Sequence, residues 1–288
     1  MSAHLSKFVL FASAALFTSS PASSQAFHFS TGNPDGMIGT ASRPNAGGEI
    51  EIETADDFLL NAETAISGGT FTGLLPSGTD ATNVQNVVVE IYRVFPLDSA
   101  DPPSGNVPTR TNSPSDVAFA SRDGSVGEVM FSTSTLNPTF TVGNSVVNGI
   151  NFVPNVFTGG EGPVSGQEVQ FDFSFLNPLD LDAGHYFFVP QVELSSGTFL
   201  WLSAPKPIVA PGTPFAPDLQ SWVRNENLAP DWLRIGTDIT HQGPFNAAFT
   251  LDGFAVPEPA SWALMLFGFA ALGLAFRRGR RARTAARA

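Results

Sequence analysis

The 288-residue chain contains no cysteine, few charged residues and little basic charge. The absence of cysteine excludes a disulfide framework, a thiol nucleophile, a cysteine-ligated zinc site and an iron–sulfur cluster. Charged residues make up only 14% of the sequence, which excludes a coiled coil or a disordered polyelectrolyte. Glycine and proline supply 27 and 23 residues, so long uninterrupted helices are not expected in the middle of the chain.

Residues 1–26 have the features of a secretory signal peptide. Lys7 gives a short positive region, and the apolar run 8–17 follows it. Ser24 and Ala26 then supply small residues at positions −3 and −1 of a cleavage site. The apolar run is too short to span a bilayer, so we interpret it as the core of a cleaved leader.

The other end of the chain has an apolar run followed by positive charge. Residues 260–276 contain no charged residue, and a group of arginines follows at Arg277, Arg278, Arg280, Arg281, Arg283 and Arg287. A run of this length is at the lower limit for a transmembrane helix, and an arginine cluster stays on the cytoplasmic side. The sequence therefore predicts a transmembrane helix over 260–276, an arginine-rich cytoplasmic stop over 277–288, and a body on the outside.

Val256, Pro257, Glu258 and Pro259 stand directly before this helix. The order of a Val-Pro-Glu-Pro motif, an apolar helix, an arginine cluster and the end of the chain resembles the PEP-CTERM sorting signal of Gram-negative bacteria. The resemblance implies that an exosortase recognises the four motif residues and cleaves the membrane precursor near them. It also implies an address in the envelope or biofilm of an exopolysaccharide-producing cell. The two prolines prevent helix and sheet pairing, so the motif is expected to be an extended, accessible hinge.

The body between the two terminal segments is strongly acidic. Seven of the 14 basic residues lie in the terminal segments, whereas all but one of the 26 acidic residues lie between them. Nucleic acid and anionic polymers are therefore not expected as partners. Neutral glycans and divalent cations remain as ligand classes.

Residues 27–255 have the pattern of short β-strands separated by turns. Alternation is clearest over 168–175, where every second residue is valine or phenylalanine. Other segments with strand character are 49–54, 70–75, 84–94, 117–121, 128–133, 148–153, 185–194, 198–203, 232–235 and 247–251. The absence of an amphipathic helix favours an all-β fold, an antiparallel β-sandwich of jelly-roll or immunoglobulin-like type that forms a single domain.

Two polar segments of the body are predicted to lie at the surface. Glu49, Glu51 and Glu53 alternate with isoleucines, which is typical of a strand with one solvated face. The Pro/Ser-rich segment 96–116 has no strand pattern and is expected to be a long excursion over the surface. The runs 54–58, 69–73 and 182–186 are similar to uncharacterised β-sandwich ectodomains that often carry the same tail.

No residue pattern identifies a catalytic centre. The body has three histidines, His28, His185 and His241, without metal-ligand spacing, and it has no nucleophile-elbow motif. Strand-end or turn packing is the role expected of these histidines. A glycosidase needs only two correctly spaced carboxylates, so the aspartates Asp56, Asp57, Asp172, Asp180 and Asp182 leave a hydrolase or lyase open. We expect the body not to be an enzyme.

No cofactor is expected, and two candidate binding sites stay open. Oxygen ligands in acidic loops suit calcium, and the candidates are Asp56, Asp57, Asp180 and Asp182. Trp222 and Trp232 flank a polar stretch and are the candidates for an exposed pair that stacks on sugar rings, with core packing as the default role of such residues. The leading hypothesis is a structural or adhesive protein of the envelope or biofilm matrix. The alternatives are a calcium-stabilised module that binds exopolysaccharide and, third, a carboxylate-based polysaccharide hydrolase.

Overall fold

The computed structural model describes residues 25–100, 104–150, 158–205, 219–256 and 265–273. The described residues form fifteen β-strands: β1 (Ala26–Ser30), β2 (Ile38–Ala41), β3 (Ile52–Leu60), β4 (Thr64–Pro76), β5 (Val84–Arg93), β6 (Ala120–Asp123), β7 (Val129–Val142), β8 (Asn144–Val146), β9 (Val164–Leu181), β10 (Gly184–Leu194), β11 (Leu200–Ala204), β12 (Trp222–Asn225), β13 (Leu233–Arg234), β14 (Asn246–Ala247) and β15 (Phe249–Ala255). Short helical turns lie at Ala81–Asn83, Gly124–Val126 and Ile235–Ile239, and residues 265–273 are α-helical. The predicted all-β fold is confirmed.

Nine of the described strands form one sheet with β4 near its centre. Strand β9 pairs along one edge of β4, and β7 pairs with the far edge of β9. On the other edge of β4, β15 and then β1 follow its first half, whereas β11, β2 and β8 follow its end. Strand β14 joins β11. The pairing of β2 with β8 is parallel, and the other pairings described in this sheet are antiparallel.

The second sheet has six strands among the described residues, in the order β13-β12-β3-β10-β5-β6. Its pairings are antiparallel. The second sheet faces the nine-stranded sheet, and each contributes phenylalanines to a common core. Phe188 of β10 packs against Phe173, Trp201 and Phe249 of the larger sheet, with ring centroids 5.6, 5.8 and 5.1 Å away. The alternating apolar residues of β9 are buried in this core, which confirms the predicted strand at 168–175.

Most other predicted strands are present with shifted ends. The segments 84–94 and 185–194 correspond closely to β5 and β10, whereas 128–133 is only the first half of the longer β7. The segment 148–153 is not a strand over 148–150, and its remaining residues lie outside the described ranges. Strands β1, β2, β8 and β12 were not predicted, because three to five residues are too few to show alternation.

The first and last strands of the body are neighbours. Ala26 of β1, where the signal peptide is predicted to end, pairs with Phe254 of β15. The N–H of Ala255 donates to the carbonyl of Gln25 at 2.8 Å, and the N–H of Val256 donates to the carbonyl of Glu63 at 2.8 Å. Both terminal segments are therefore joined to the body at adjoining positions of the nine-stranded sheet.

Most of the terminal segments fall outside the described residues. This applies to residues 1–24 of the predicted signal peptide, to Pro257, Glu258 and Pro259 of the motif, and to the arginines of 277–288. Within the described ranges, no helix is both long and apolar enough to cross a membrane.

Candidate functional site

The predicted exposure of Trp222 and Trp232 is wrong. Both side chains are 0% exposed and lie in a second apolar cluster on the outer face of the six-stranded sheet. The indole N–H of Trp232 donates to the carbonyl of Ser115 at 3.1 Å, and its ring meets Tyr92 edge-on at 5.4 Å. These tryptophans pack as core residues and have no free face for a sugar.

The described end of the segment 96–116, residues 104–116, helps to cover this cluster and is not only a surface excursion. Its Arg110 is buried and donates to Asp116 at 2.7 Å and to Asp231 at 2.8 Å. The two carboxylates compensate the buried charge, and the guanidinium also lies 4.7 Å from the centre of the Phe95 ring. A polar segment can cover an apolar sheet face here because its arginine is paired.

Beside the tryptophans lies a buried ion-pair network centred on Arg224. Its guanidinium donates to Glu53, to the hydroxyl of Tyr92 at 2.9 Å and to the carbonyl of Asp116 at 2.9 Å. The hydroxyl of Tyr92 donates to Glu53 at 2.5 Å and lies 3.0 Å from Glu90. Glu53 is 3% exposed, so the predicted solvated face of three glutamates is wrong at this residue.

The network shifts the pKa values of its members. Burial, together with the negative charge of Glu53, raises the pKa of Glu90 to about 8. Burial also raises the pKa of Glu51, whose carboxylate accepts a hydrogen bond from Gln191 at 2.9 Å. Burial alone would lower the pKa of Arg224, but the charge of Glu53 outweighs it and raises that pKa. The carboxylates of Glu53 and Glu90 both lie within hydrogen-bonding distance of the Tyr92 hydroxyl, an arrangement that resembles a pair of hydrolytic carboxylates. Glu53 is buried and paired with Arg224, however, so a substrate cannot reach it.

The four predicted calcium ligands do not form one site. Asp56 and Asp57 are buried on β3 of the six-stranded sheet, whereas Asp180 is exposed on β9 and Asp182 is exposed just after β9. No group of three or more His, Asp or Glu able to hold a metal is present in the described parts of the chain.

The carboxylates of Asp56 and Asp57 already have hydrogen-bonding partners. Asp56 accepts from the Ser221 hydroxyl and from the Ala247 N–H, each at 2.9 Å. Asp57 accepts from the Leu219 N–H at 3.0 Å, and its second oxygen lies 2.6 Å from His185 Nε2. These bonds join the chain around 219–221 and 247 to β3, so both aspartates act in the fold.

A cleft of about 460 Å³ lies beside the start of β3. One wall is the turn between Arg43 and Ile52, which are joined by two backbone hydrogen bonds. Gly47 and Gly48 occupy the turn with φ values of 64° and 86°, which other residues adopt only with strain. The buried Arg43 holds the turn by donating to the carbonyl of Ile50 at 3.1 Å and to Glu49 at 2.7 Å.

The opposite wall is the chain around residues 147–150. The carboxylate of Glu161 accepts hydrogen bonds from three successive backbone N–H groups, those of residues 147, 148 and 149, at 2.9, 2.8 and 2.6 Å. The side chain of Thr158 donates to the carbonyl of Gly149 at 2.8 Å. The wall is therefore fixed before any ligand arrives.

The floor of the cleft combines apolar and amide groups. Ile52 and Ile150 belong to a buried apolar cluster, and Asn225 donates to the carbonyl of Ile150 at 3.3 Å. Asn225 also accepts from the N–H of Leu228 at 2.9 Å, which fixes the turn that carries Asn227.

Polar side chains are available at the mouth of the cleft. Asn148 and Asn227 are exposed, the side chain of Glu49 is 63% exposed, and Ile50 is 39% exposed. Amide donors and acceptors next to a small apolar patch suit a ligand with hydroxyl groups and C–H faces.

Sequence reasoning missed this cleft, although it noticed some of its members. Glu49 was identified only as part of a strand face, and Asn227 lies in the polar stretch that was noted only for the tryptophans on either side of it. The adjacent Gly47 and Gly48 are a turn signal that could have placed Glu49 in a turn before the strand. The wall around Asn148 lies about a hundred residues away, and no local pattern connects it to the turn.

Comparison with known proteins identifies the tail. The family model described as the PEP-CTERM protein-sorting motif matches residues 255–281. No curated protein and no solved structure matches the chain. The predicted sorting motif is therefore confirmed, and the chain is an exported, envelope-directed protein of the kind that an exosortase sorts.

Proposed function

We propose that the body gives this exosortase-sorted protein an adhesive role in the envelope or matrix by binding neutral exopolysaccharide in the cleft. The cleft beside Arg43 is the observation that carries the proposal. Its volume of about 460 Å³ is within the range of small-molecule sites, and it can accept a short stretch of a glycan chain. The exposed amides of Asn148 and Asn227 offer paired donors and acceptors to sugar hydroxyls.

Charge favours a neutral polymer over an anionic one. The body is strongly acidic, and the arginine that lines the cleft is already paired with Glu49. An incoming carboxylate or sulfate would meet general repulsion without an unpaired arginine to bind it. Neutral sugar hydroxyls carry no such penalty.

The same residues favour binding over hydrolysis. A glycosidase needs two carboxylates that face each other across the scissile bond. Glu49 is the one carboxylate among the residues described as lining the cleft, and it is held by Arg43 at 2.7 Å.

The tail gives the module its position. Residues 260–276 would hold the precursor in the inner membrane as a single helix, with the arginines of 277–288 on the cytoplasmic side. Cleavage near residues 256–259 by an exosortase then delivers the body to the envelope or matrix. Adhesion needs this address, because a secreted binder would otherwise diffuse away.

The test is binding of the full chain, purified in mild detergent, to two probes: neutral exopolysaccharide from its own host and the anionic polymer alginate. The double variant Asn148→Ala/Asn227→Ala removes the two exposed amides, and Asn33→Ala removes an exposed amide that does not line the cleft. We expect saturable binding to the neutral polymer only, at least tenfold weaker binding by the double variant, and unchanged binding by Asn33→Ala.

Two results would contradict the proposal. One is the absence of binding to any neutral host polymer at millimolar sugar concentration. The other is equal affinity of the wild type and the double variant, which would place the binding surface elsewhere on the body.

A further inference from the structure

Strand β7 is a long and unprotected edge of the nine-stranded sheet. It pairs with β9 on one side and with no described strand on the other. Its other edge leaves backbone N–H and C=O groups open to a further strand. The remaining edge strands in the described chain are β1, β6, β8, β13 and β14, which have two to five residues each, whereas β7 has fourteen.

The first half of the edge, residues 129–135, lacks the prolines, bulges and charges that normally keep strand edges apart. Val129–Val142 contains no charged residue, in a body that is otherwise strongly acidic. The register with β9 is regular from Val129 to Thr135 and shifts only beyond Thr135, close to Pro138. Seven regular residues of β-branched, aromatic, Met and Ser type therefore form an edge ready for pairing.

Apolar side chains are exposed along the same strand. Met130 is 57% exposed and Leu136 is 51% exposed. A shallow depression of about 380 Å³ lies over residues 130–132 and their β9 partners 172–174. Met130 and Leu136, the first residue after the regular stretch, are each three residues from Thr133, so a two-fold axis through Thr133 would place them opposite each other.

We propose that β7 is a self-association surface, on which the β7 strands of two copies pair antiparallel about Thr133 and join two sheets into one. In this register Met130 of each copy faces Leu136 of the other, and Ser132 faces Ser134. Interfaces with two-fold symmetry use the same patch twice, which fits a patch whose two apolar groups are equidistant from its centre. The proposal is independent of the glycan-binding cleft.

The distribution of charge favours a second copy of the chain as the partner of the β7 edge. Two acidic bodies repel each other over most of their surfaces, and a charge-free edge is where they can approach. The acidic side chains one strand inward from the edge are Asp172 and Glu168 of β9, which are paired with Ser132 and Asn137 of β7. Strands lie about 4.8 Å apart, so three strand spacings keep Asp172 of one copy about 14 Å from β9 of the other, beyond the screening length of about 8 Å in physiological salt.

The chain lends itself to a cross-linking test because it has no cysteine. In the proposed register, residue 133 lies directly opposite residue 133 of the second copy, and opposed Cα atoms about 4.5–5.5 Å apart can form a disulfide. We expect Thr133→Cys to give a covalent dimer under mild oxidation of the full chain in detergent. Thr139→Cys, exposed on the same strand beyond the register shift, is the control and should give at least tenfold less.

A reversible measurement accompanies the cross-link. Sedimentation velocity from 1 to 200 µM should show a concentration-dependent dimer of the unmodified full chain. Met130→Glu places a carboxylate in the contact and should raise the dimer dissociation constant at least tenfold. Met37→Glu, at a methionine of similar exposure in the bend before β2, should change it less than twofold.

The proposal is overturned by a chain that stays monomeric at 200 µM and forms no more Thr133→Cys dimer than Thr139→Cys dimer. Cross-linking of Thr133→Cys in intact cells only to a different protein would also overturn it. Thermal melting of Met130→Glu should match the wild type, which separates a lost contact from a lost fold.

Discussion

Two regions of the body are built around a buried arginine, and they differ in what surrounds it. Around Arg224 the partners are themselves covered, since Glu53 is 3% exposed and Tyr92 is 2% exposed. Around Arg43 the acidic partner Glu49 keeps 63% of its side chain exposed at the mouth of a cleft. The first region is closed by the segment 96–116 and by the tryptophans, and the second is open to solvent.

The difference separates a stabilising role from a binding role. A buried ion pair whose partner is also buried cannot lose one member without leaving an uncompensated charge. An ion pair with one exposed member can be hydrated, so its main effect is to hold a turn in place. The acidic residues that resemble a catalytic pair lie in the closed region, whereas the groups that a ligand can reach lie in the open one.

Removal of Arg224 is expected to have the largest effect. Arg224→Met leaves Glu53 buried without its cation and should lower the free energy of unfolding by about 3–5 kcal/mol. Arg43→Met should cost about 1–2 kcal/mol, because the freed Glu49 is solvated. Urea denaturation measures both, and equal losses would remove the distinction between the two regions.

Trp232→Phe tests whether Trp232 stabilises the fold as a core residue or binds sugar. The change deletes the hydrogen bond to the carbonyl of Ser115 and leaves a small cavity beside Tyr92, so we expect a loss of about 2 kcal/mol in unfolding free energy. Affinity for the neutral exopolysaccharide should stay the same in the folded variant. A variant of unchanged stability with weakened binding would restore the sugar-stacking interpretation.

Glu90→Gln changes the pH dependence of stability. The folded pKa of Glu90 is about 8 and its ordinary value is 4.5, so the folded state binds more protons than the unfolded state between these values. The stability that protonated Glu90 contributes is complete below pH 4.5 and is lost as pH rises to about 8. Thermal melting at pH 5 and pH 9 should show a smaller decrease for the variant than for the wild type, and identical slopes would contradict the assigned shift.

Asn227→Ala is expected to have the smallest effect on folding. The side chain is exposed, so the free energy of unfolding should change by no more than about 0.5 kcal/mol. Chemical denaturation checks this value. A loss above about 1 kcal/mol would mean that the residue supports the fold rather than the mouth of the cleft.

The sequence predicted what local periodicity encodes. The alternating phenylalanines of 168–175 and the β-branched run 84–94 identified β9 and β5, and the tail was recognised because motif, apolar run and arginines are consecutive. Prediction from the sequence was wrong where residues distant in the chain determine whether a side chain is buried. Trp232 looked exposed beside a polar stretch, but Arg110 and Ser115, more than a hundred residues earlier in the chain, bring a polar segment over it.

The cleft escaped prediction for a related reason. Glu49 and Glu53 belong to one alternating run, yet the turn at Gly47 and Gly48 puts the first at an open mouth and β3 carries the second into a buried network. Asn148 reaches the same cleft only because Glu161 holds its backbone. Such convergence depends on pairings across the whole chain, which spacing in the sequence does not contain.

The central claim is that the open region binds and the closed region stabilises, and one titration tests it directly. Isothermal titration at pH 7 with the neutral host exopolysaccharide would compare wild type, Asn148→Ala/Asn227→Ala and Glu90→Gln, all in the full chain. The account predicts at least tenfold weaker binding for the double amide variant and wild-type affinity for Glu90→Gln. Wild-type affinity in the amide variant together with lost binding in Glu90→Gln would contradict it and move the binding site to the outer face of the six-stranded sheet.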